Sequence, residues 1–264
     1  MASFRDVGWV WEGLGFDPGV QPSIYGVGEG ATYFGLERVN LLFHPINEIT
    51  LGKLRDKREV IAPIMDYSFA ELRDAEGHFG FGHKGDQSPE TLSREAEKLS
   101  RLSLQFPNVT GAIIDDAHGM FRYDQYDEGV PASIYSALRS ANPNLTLWIV
   151  VYTHELEMTE WAAVVPHMDV ANLWIWNCQN IPHLEEYVAH CAEVFPGKDI
   201  IVGAYMRDYP SVGPVPLDLL AVQFETMLKL WNEGKIAGYS ILAGCLIDQH
   251  PAQAEYIREF IAEH

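Results

Sequence analysis

The sequence predicts a single α/β domain over residues 1–264, a (β/α)8 barrel, and three observations carry that expectation. Short apolar runs alternate eight times along the chain with segments of helical character or long polar loops. The runs are apolar on both parities, which is the mark of parallel strands buried on both faces. Eight such units fill 264 residues, and a barrel of this type takes about 250.

Taken in order, Val7–Trp11 is the first strand, ending at Glu12. The Gly- and Pro-rich stretch 13–37 follows; its GVGEGA run at 26–31 reads as a loop, not a nucleotide fingerprint, because no strand–turn–helix unit frames it. Arg38–Phe43 is a strand tipped by His44, and Ile49–Lys57 a short helix. Glu59–Met65 is a strand tipped by Asp66 and Tyr67, and 67–87 a long loop. Ser88 then caps a helix with Pro in its first turn and early acids. The run 109–116 ends in two adjacent carboxylates, Asp115 and Asp116. Pro131–Ser140 is a helix, Leu145–Tyr152 a strand tipped by His154 and Glu155, and Thr159–Val165 a short helix. Val170–Trp176 is a strand with Trp174 and Trp176 on one parity, tipped by Asn177, and Ile181–Phe195 is a helix. Ile200–Met206 is a strand tipped by Arg207, Asp208 and Tyr209; Leu217–Asn232 is a helix. Ile236–Ala243 is the last strand and Pro251–Ala262 the closing helix.

The connections are asymmetric. Those from helix to strand are tight (FPN at 106–108, NPN at 142–144, FPGK at 195–198, NEGK at 232–235). Those from strand to helix are long (13–37, 67–87, 117–130, 207–216) and hold most of the Gly, His and Tyr outside the strands. Loops stay short unless they work, and in a barrel every strand-to-helix loop lies on one rim.

The formal charge is −19, from 37 acids and 18 bases. That argues against nucleic acid or an anionic membrane surface as partner, and it favours neutral ligands. Three separated cysteines form neither a disulfide framework nor a zinc motif. The opening residues lack a signal-peptide pattern, so a cytoplasmic location is expected. No apolar run approaches the roughly 18–20 residues of a membrane span.

Acids converging on one low-dielectric mouth need a task or a counter-ion. Cleaving a glycosidic bond needs two carboxyl groups, one protonated and one ionised. Flat aromatics suit the apolar faces of sugar rings, and Asn, His and Arg suit hydroxyls. The tips supply all of these, and no cofactor is expected. On a regular strand only one of Asp115 and Asp116 can face the barrel axis, and the apolar phase of the strand does not say which.

The strand ending GAIIDD resembles the fourth-strand ending of glycoside-hydrolase barrels and is most similar to the substrate-assisted hexosaminidase type. That resemblance implies that Asp115 orients the substrate's acetamide and Asp116 is the general acid. Similarity to the larger retaining clan instead implies an acid at Asp115 or Asp116 and a nucleophile at Asp208 in YMRDY. The chain departs from that clan in having Asp where the clan has Glu, and no Asn-Glu pair. Shorter acids stand further apart, favouring an inverting separation of about 6.5–9.5 Å.

The expected assignment is a glycoside hydrolase acting on a neutral or N-acetylated carbohydrate. Asp116 or Asp115 is its acid and Asp208 or Glu155 the partner. Trp174, Trp176, Tyr205 and Tyr152 form the sugar platform, and His44, Asp66, His154, Asn177 and Arg207 hold hydroxyls. A second reading is a divalent-metal isomerase, epimerase or lyase, since His44, Asp66, Asp116, His154, Glu155 and Asp208 are suitable ligand types. A third is a non-catalytic carbohydrate-binding barrel. A Schiff-base aldolase is disfavoured because no strand core carries a lysine.

Overall fold

The computed structural model describes residues 3–13, 20–73, 79–122, 126–127 and 129–264, with side chains except those of 68–84 and 122. Its eight barrel strands are β1 (Gly8–Trp11), β2 (Arg38–Asn40), β3 (Glu59–Pro63), β4 (Val109–Ile114), β5 (Thr146–Tyr152), β6 (Val170–Trp174), β7 (Asp199–Tyr205) and β8 (Gly238–Leu242). Every neighbouring pair is parallel, and β8 pairs with β1 to close the barrel. The helices between them are α1 (Val27–Phe34), α2 (Glu48–Lys53), α3 (Pro89–Leu102), α4 (Gly129–Leu138), α5 (Trp161–Val164), α6 (Leu184–Val194), α7 (Leu217–Asn232) and α8 (Pro251–Glu263).

The register divides the strand residues into two sets. Partners in a parallel pair share a face, so Trp9, Ser240, Gly203, Trp174 and Tyr152 belong together, as do Trp11, Asn40, Ile61 and Gly111. This set faces the lumen, because Trp9 meets Trp148 at 5.1 Å and Trp11 meets Trp174 at 5.0 Å across the barrel. The opposite set (Val10, Val39, Val60, Ala112, Ile149, Leu173, Val202) is buried and packs outward under the helices. The bottom of the lumen is plugged: Arg38 lies 4.4 Å over the Trp9 ring and pairs with Glu59 at 3.3 Å. Only the C-terminal mouth is left for a site.

Two stretches expected to be loops are ordered elements. The segment 67–87 contains an antiparallel hairpin, Asp66–Arg73 with Phe79–Asp86. The GVGEGA run opens α1 after all. A Cβ on Gly30 would come 2.7 Å from the Gly244 Cα, so the glycine lets α1 approach the turn after β8 backbone to backbone. Ser88 caps α3 by accepting from the Thr91 N–H at 3.4 Å, with Pro89 in the first turn as expected. No described helix is long and apolar enough to cross a membrane.

Candidate active site

Two adjoining cavities, of about 400 and 460 Å³, open on the C-terminal rim. They share four walls: Asp115, Asp116, Tyr152 and Trp176. The first lobe is aromatic, lined by Trp11, Phe43, Trp174, Tyr205, Tyr209, Val212 and the buried Arg207. The second is polar, lined by Tyr67, Gln87, His118, His154 and Glu155. The carboxylate pair is therefore the ridge between two lobes of one cleft.

Both carboxylates reach the ridge because the strand does not stay regular. Asp115 continues the parity of Gly111 and Ile113, the lumen face of β4. Asp116 would turn away, but it sits at φ +44°, in the left-handed region that Asp tolerates better than most residues. Its Oδ1 accepts the Tyr152 hydroxyl at 2.8 Å, and its N–H donates to Asp115 Oδ1 at 3.0 Å. Tyr205 lines the same lobe beside Tyr152. Burial first, and then the neighbouring acids, push the phenol of Tyr67 far above its ordinary range; burial, then the Tyr209 phenol and then the acids do so for Tyr205. Burial, with the Tyr205 phenol and both acids adding to it, does the same to Tyr152. All three are neutral donors beside the pair.

Glu155 is 8% exposed at the wall of the polar lobe. Burial pushes its carboxyl above the ordinary range, against the Tyr152 N–H that donates to it at 3.2 Å and the charges of His118 and His154. Its Oε1 is 3.8 Å from His118 Nδ1. Across the ridge Trp176, 41% exposed, lies flat against Tyr209 at 5.3 Å and 15°.

Backbone strain marks the same place. Phe43, Asp116 and Val212 are the non-glycine residues at positive φ (+60°, +44° and +56°) among those described, and all three line the aromatic lobe. For a bulky or β-branched residue such a φ costs of order 1–3 kcal/mol, and such strain gathers at ligand clamps and active sites.

Nine of the thirteen expected site residues line the cleft: Asp115, Asp116, Tyr152, His154, Glu155, Trp174, Trp176, Tyr205 and Arg207. Trp174 is 1% exposed and forms the floor, so the exposed platform is Trp176. Four do not line it. Asp208, expected as nucleophile, is 5% exposed and accepts the N–H groups of Cys178 at 3.1 Å and Ser211 at 3.0 Å. Burial alone would raise its pKa, but those hydrogen bonds together hold it below the usual range. It clamps the Tyr209–Val212 turn and lines neither lobe of the cleft. His44 pairs with Glu12 at 3.4 Å, whose carboxylate accepts the first N–H of α1. Asp66 is exposed at the hairpin base, 3.7 Å from Arg94. Asn177 caps the 3-10 turn that follows β6, accepting the Gln179 N–H at 3.0 Å. Tyr123, a further aromatic of the rim loops, lies outside the described residues. Gln87, Phe43 and Val212 are cleft residues that sequence reasoning missed, since a lone amide and two apolar loop residues carry no pattern. Among the described residues no three His, Cys, Asp or Glu side chains converge as a metal-holding group, the arrangement that the metal-enzyme reading requires.

Solved structures of glycoside hydrolases superpose on this eight-stranded parallel barrel. A family 18 chitinase from Crocus vernus matches with a TM-score of 0.58 at 14% identity, over 97% of this chain and 98% of that one. The catalytic domain of a family 18 chitinase from the fern Peteris ryukyuensis gives 0.57 at 14% identity, over 98% of each chain. The PgaB glycoside hydrolase domain of Bordetella bronchiseptica gives 0.54 at 13%, over 88% of this chain and 91% of that one. No family model and no curated protein matches the sequence. At these identities the likeness establishes the (β/α)8 barrel fold alone.

Proposed function

We propose that this chain is a glycoside hydrolase for a neutral or N-acetylated carbohydrate, with the scissile bond lying over the Asp115–Asp116 ridge. The observation that carries the reading is the division of the cleft at its carboxylates, with a stacking platform on one side and a buried carboxyl on the other. The sugar whose anomeric carbon reacts lies in the aromatic lobe against Trp176 and Tyr209. The leaving group lies in the polar lobe, where Glu155, kept protonated to higher pH by its burial, donates the proton to the glycosidic oxygen as the bond to the anomeric carbon breaks. The Asp pair faces the developing positive charge and takes the proton of the water that adds to the anomeric carbon, so the broken bond is replaced by one to the water oxygen. Tyr152 holds Asp116 as the acceptor in that arrangement, so the acid role moves from the pair to Glu155. In an N-acetylated substrate the same pair would orient the acetamide.

The test is turnover of aryl and oligomeric glycosides of neutral and N-acetylated sugars, with the first-formed anomer read by NMR. Glu155→Gln should lower kcat by about 10²–10⁴ where the leaving group needs a proton, and far less where it is a dinitrophenolate. Wild-type activity should fall as pH rises through the elevated Glu155 pKa. A wild-type protein that cleaves none of these substrates refutes the reading, and a variant equally active on both leaving groups refutes the role of Glu155.

A further inference from the structure

The least expected feature of the cleft is an amide from a distant part of the chain gripping the backbone of the carboxylate pair. Gln87 stands between the hairpin and α3, is 6% exposed, and lines the polar lobe. Its Nε2 donates to the Asp115 carbonyl at 2.5 Å and lies 3.3 Å from the Asp116 carbonyl. The Met65 sulfur stands at 3.4 Å from the same nitrogen. Two carbonyl oxygens facing one amide terminus settle its orientation, because the amide oxygen could not face them without repulsion. The other terminus is fitted just as closely. A Cβ on Gly119 would fall 2.0 Å from Gln87 Oε1, so the turn after the pair can close on the amide only with glycine there.

Asp116 needs such a grip. A left-handed φ persists in a non-glycine residue only where the surroundings over-determine it. Relaxing it to an extended conformation would restore strand alternation and turn the Asp116 carboxylate away from Tyr152. The bonds from Gln87 fall on the carbonyls either side of the Asp116 N–Cα bond, the bond whose rotation is at issue.

We infer that Gln87 is a positioning residue that, through its amide N–H bonds to the Asp115 and Asp116 carbonyls, holds both carboxylates on the cleft ridge at once. It acts through the pair and supplies no chemistry of its own. The kinetic part of the test rests on the glycosidase reading; the structural part does not.

The test uses three variants. Gln87→Leu removes the donor at similar volume. Gln87→Glu donates only while its carboxyl is protonated. Gly119→Ala leaves Gln87 in the chain and pushes it off the carbonyls. In a crystal structure of Gln87→Leu, Asp116 should leave the left-handed region and its 2.8 Å contact with Tyr152 should open. Gln87→Leu and Gly119→Ala should lower kcat by about tenfold or more, with KM changed by less than about threefold. Gln87→Glu should be active only while its carboxyl is protonated, so as pH rises a second falling limb should join the one that wild type owes to Glu155. A loss that only tracked stability would leave the pH profile unchanged. Gln87→Leu that folds, keeps Asp116 at positive φ and keeps kcat overturns the inference. If wild type cleaves no glycoside, the Asp116 geometry in Gln87→Leu still decides it alone: movement supports the inference and a fixed Asp116 overturns it.

Discussion

Replacing Tyr152 by Phe removes one oxygen and leaves the ring against His154, 5.4 Å away, and Trp176, 5.8 Å away, so packing is nearly conserved. What disappears is the donor at 2.8 Å from Asp116 Oδ1. A hydrogen bond to a charged acceptor is worth about 1.5–3 kcal/mol. Asp116 is exposed, so water replaces part of that and the lower end applies. Since about 1.4 kcal/mol is a factor of ten, kcat should fall about tenfold while KM stays within about twofold. A loss of about 1 kcal/mol in urea unfolding, from the same hydrogen bond, should accompany the kinetic effect. Steady-state kinetics on the substrate found by the glycoside panel, with urea titration of both proteins, measures both quantities. A variant that matches wild type in kcat would show that the hydroxyl merely fills space beside Asp116, and the role of the Tyr152–Asp116 bond would have to be abandoned.

Three further outcomes are expected. A methyl group on Gly203 would fall 2.1 Å from the Trp174 ring. Gly203→Ala should therefore destabilise by about 1–3 kcal/mol, read as a lower urea midpoint with an unchanged m-value, and should weaken sugar binding in the aromatic lobe. Asp208 has a folded-state pKa below its ordinary 3.8, so its stabilisation is present above that value and lost as pH falls through the folded pKa. Wild type should lose stability in that acid window and Asp208→Asn should not; equal acid profiles would deny Asp208 its clamping role. Glu155 has a folded-state pKa above its ordinary 4.5, so the folded state holds a proton that the unfolded state releases, and stability falls as pH rises from 4.5 through the folded value. Glu155→Gln escapes that fall. It should melt at a higher temperature than wild type at neutral pH and converge with it in acid, and an unchanged difference across pH would count against burial as the cause.

The barrel was legible because its signals are repeated and independent: eight apolar runs recur along the chain, the tight turns precede strands and the long loops follow them, and no single misjudged element could break the pattern. The phase of the strands was not legible in the sequence, because both faces are apolar, and the register supplies it. Val10, Val39, Val60, Ala112, Ile149, Leu173 and Val202 occupy the helix-facing parity, whereas Trp9, Trp11, Asn40, Trp148, Tyr152, Asn172 and Trp174 occupy the other. The lumen face carries these rings and amides but also Ile61, Ile113 and Ile201. By the alternation rule along that face Asp115 points inward. The rule fails one residue later, since nothing in GAIIDD announces that Asp116 adopts φ +44° and returns to the cleft. That conformation comes from Gln87, 29 residues earlier, and from a hairpin that reads as a loop. Asp208 failed for a related reason. A strand-tip acid looks the same in sequence whether it meets substrate or the N–H groups of Cys178 and Ser211. What separates Asp116 from Asp208 is which backbone groups are left for the carboxylate to satisfy, and only the folded loops decide that.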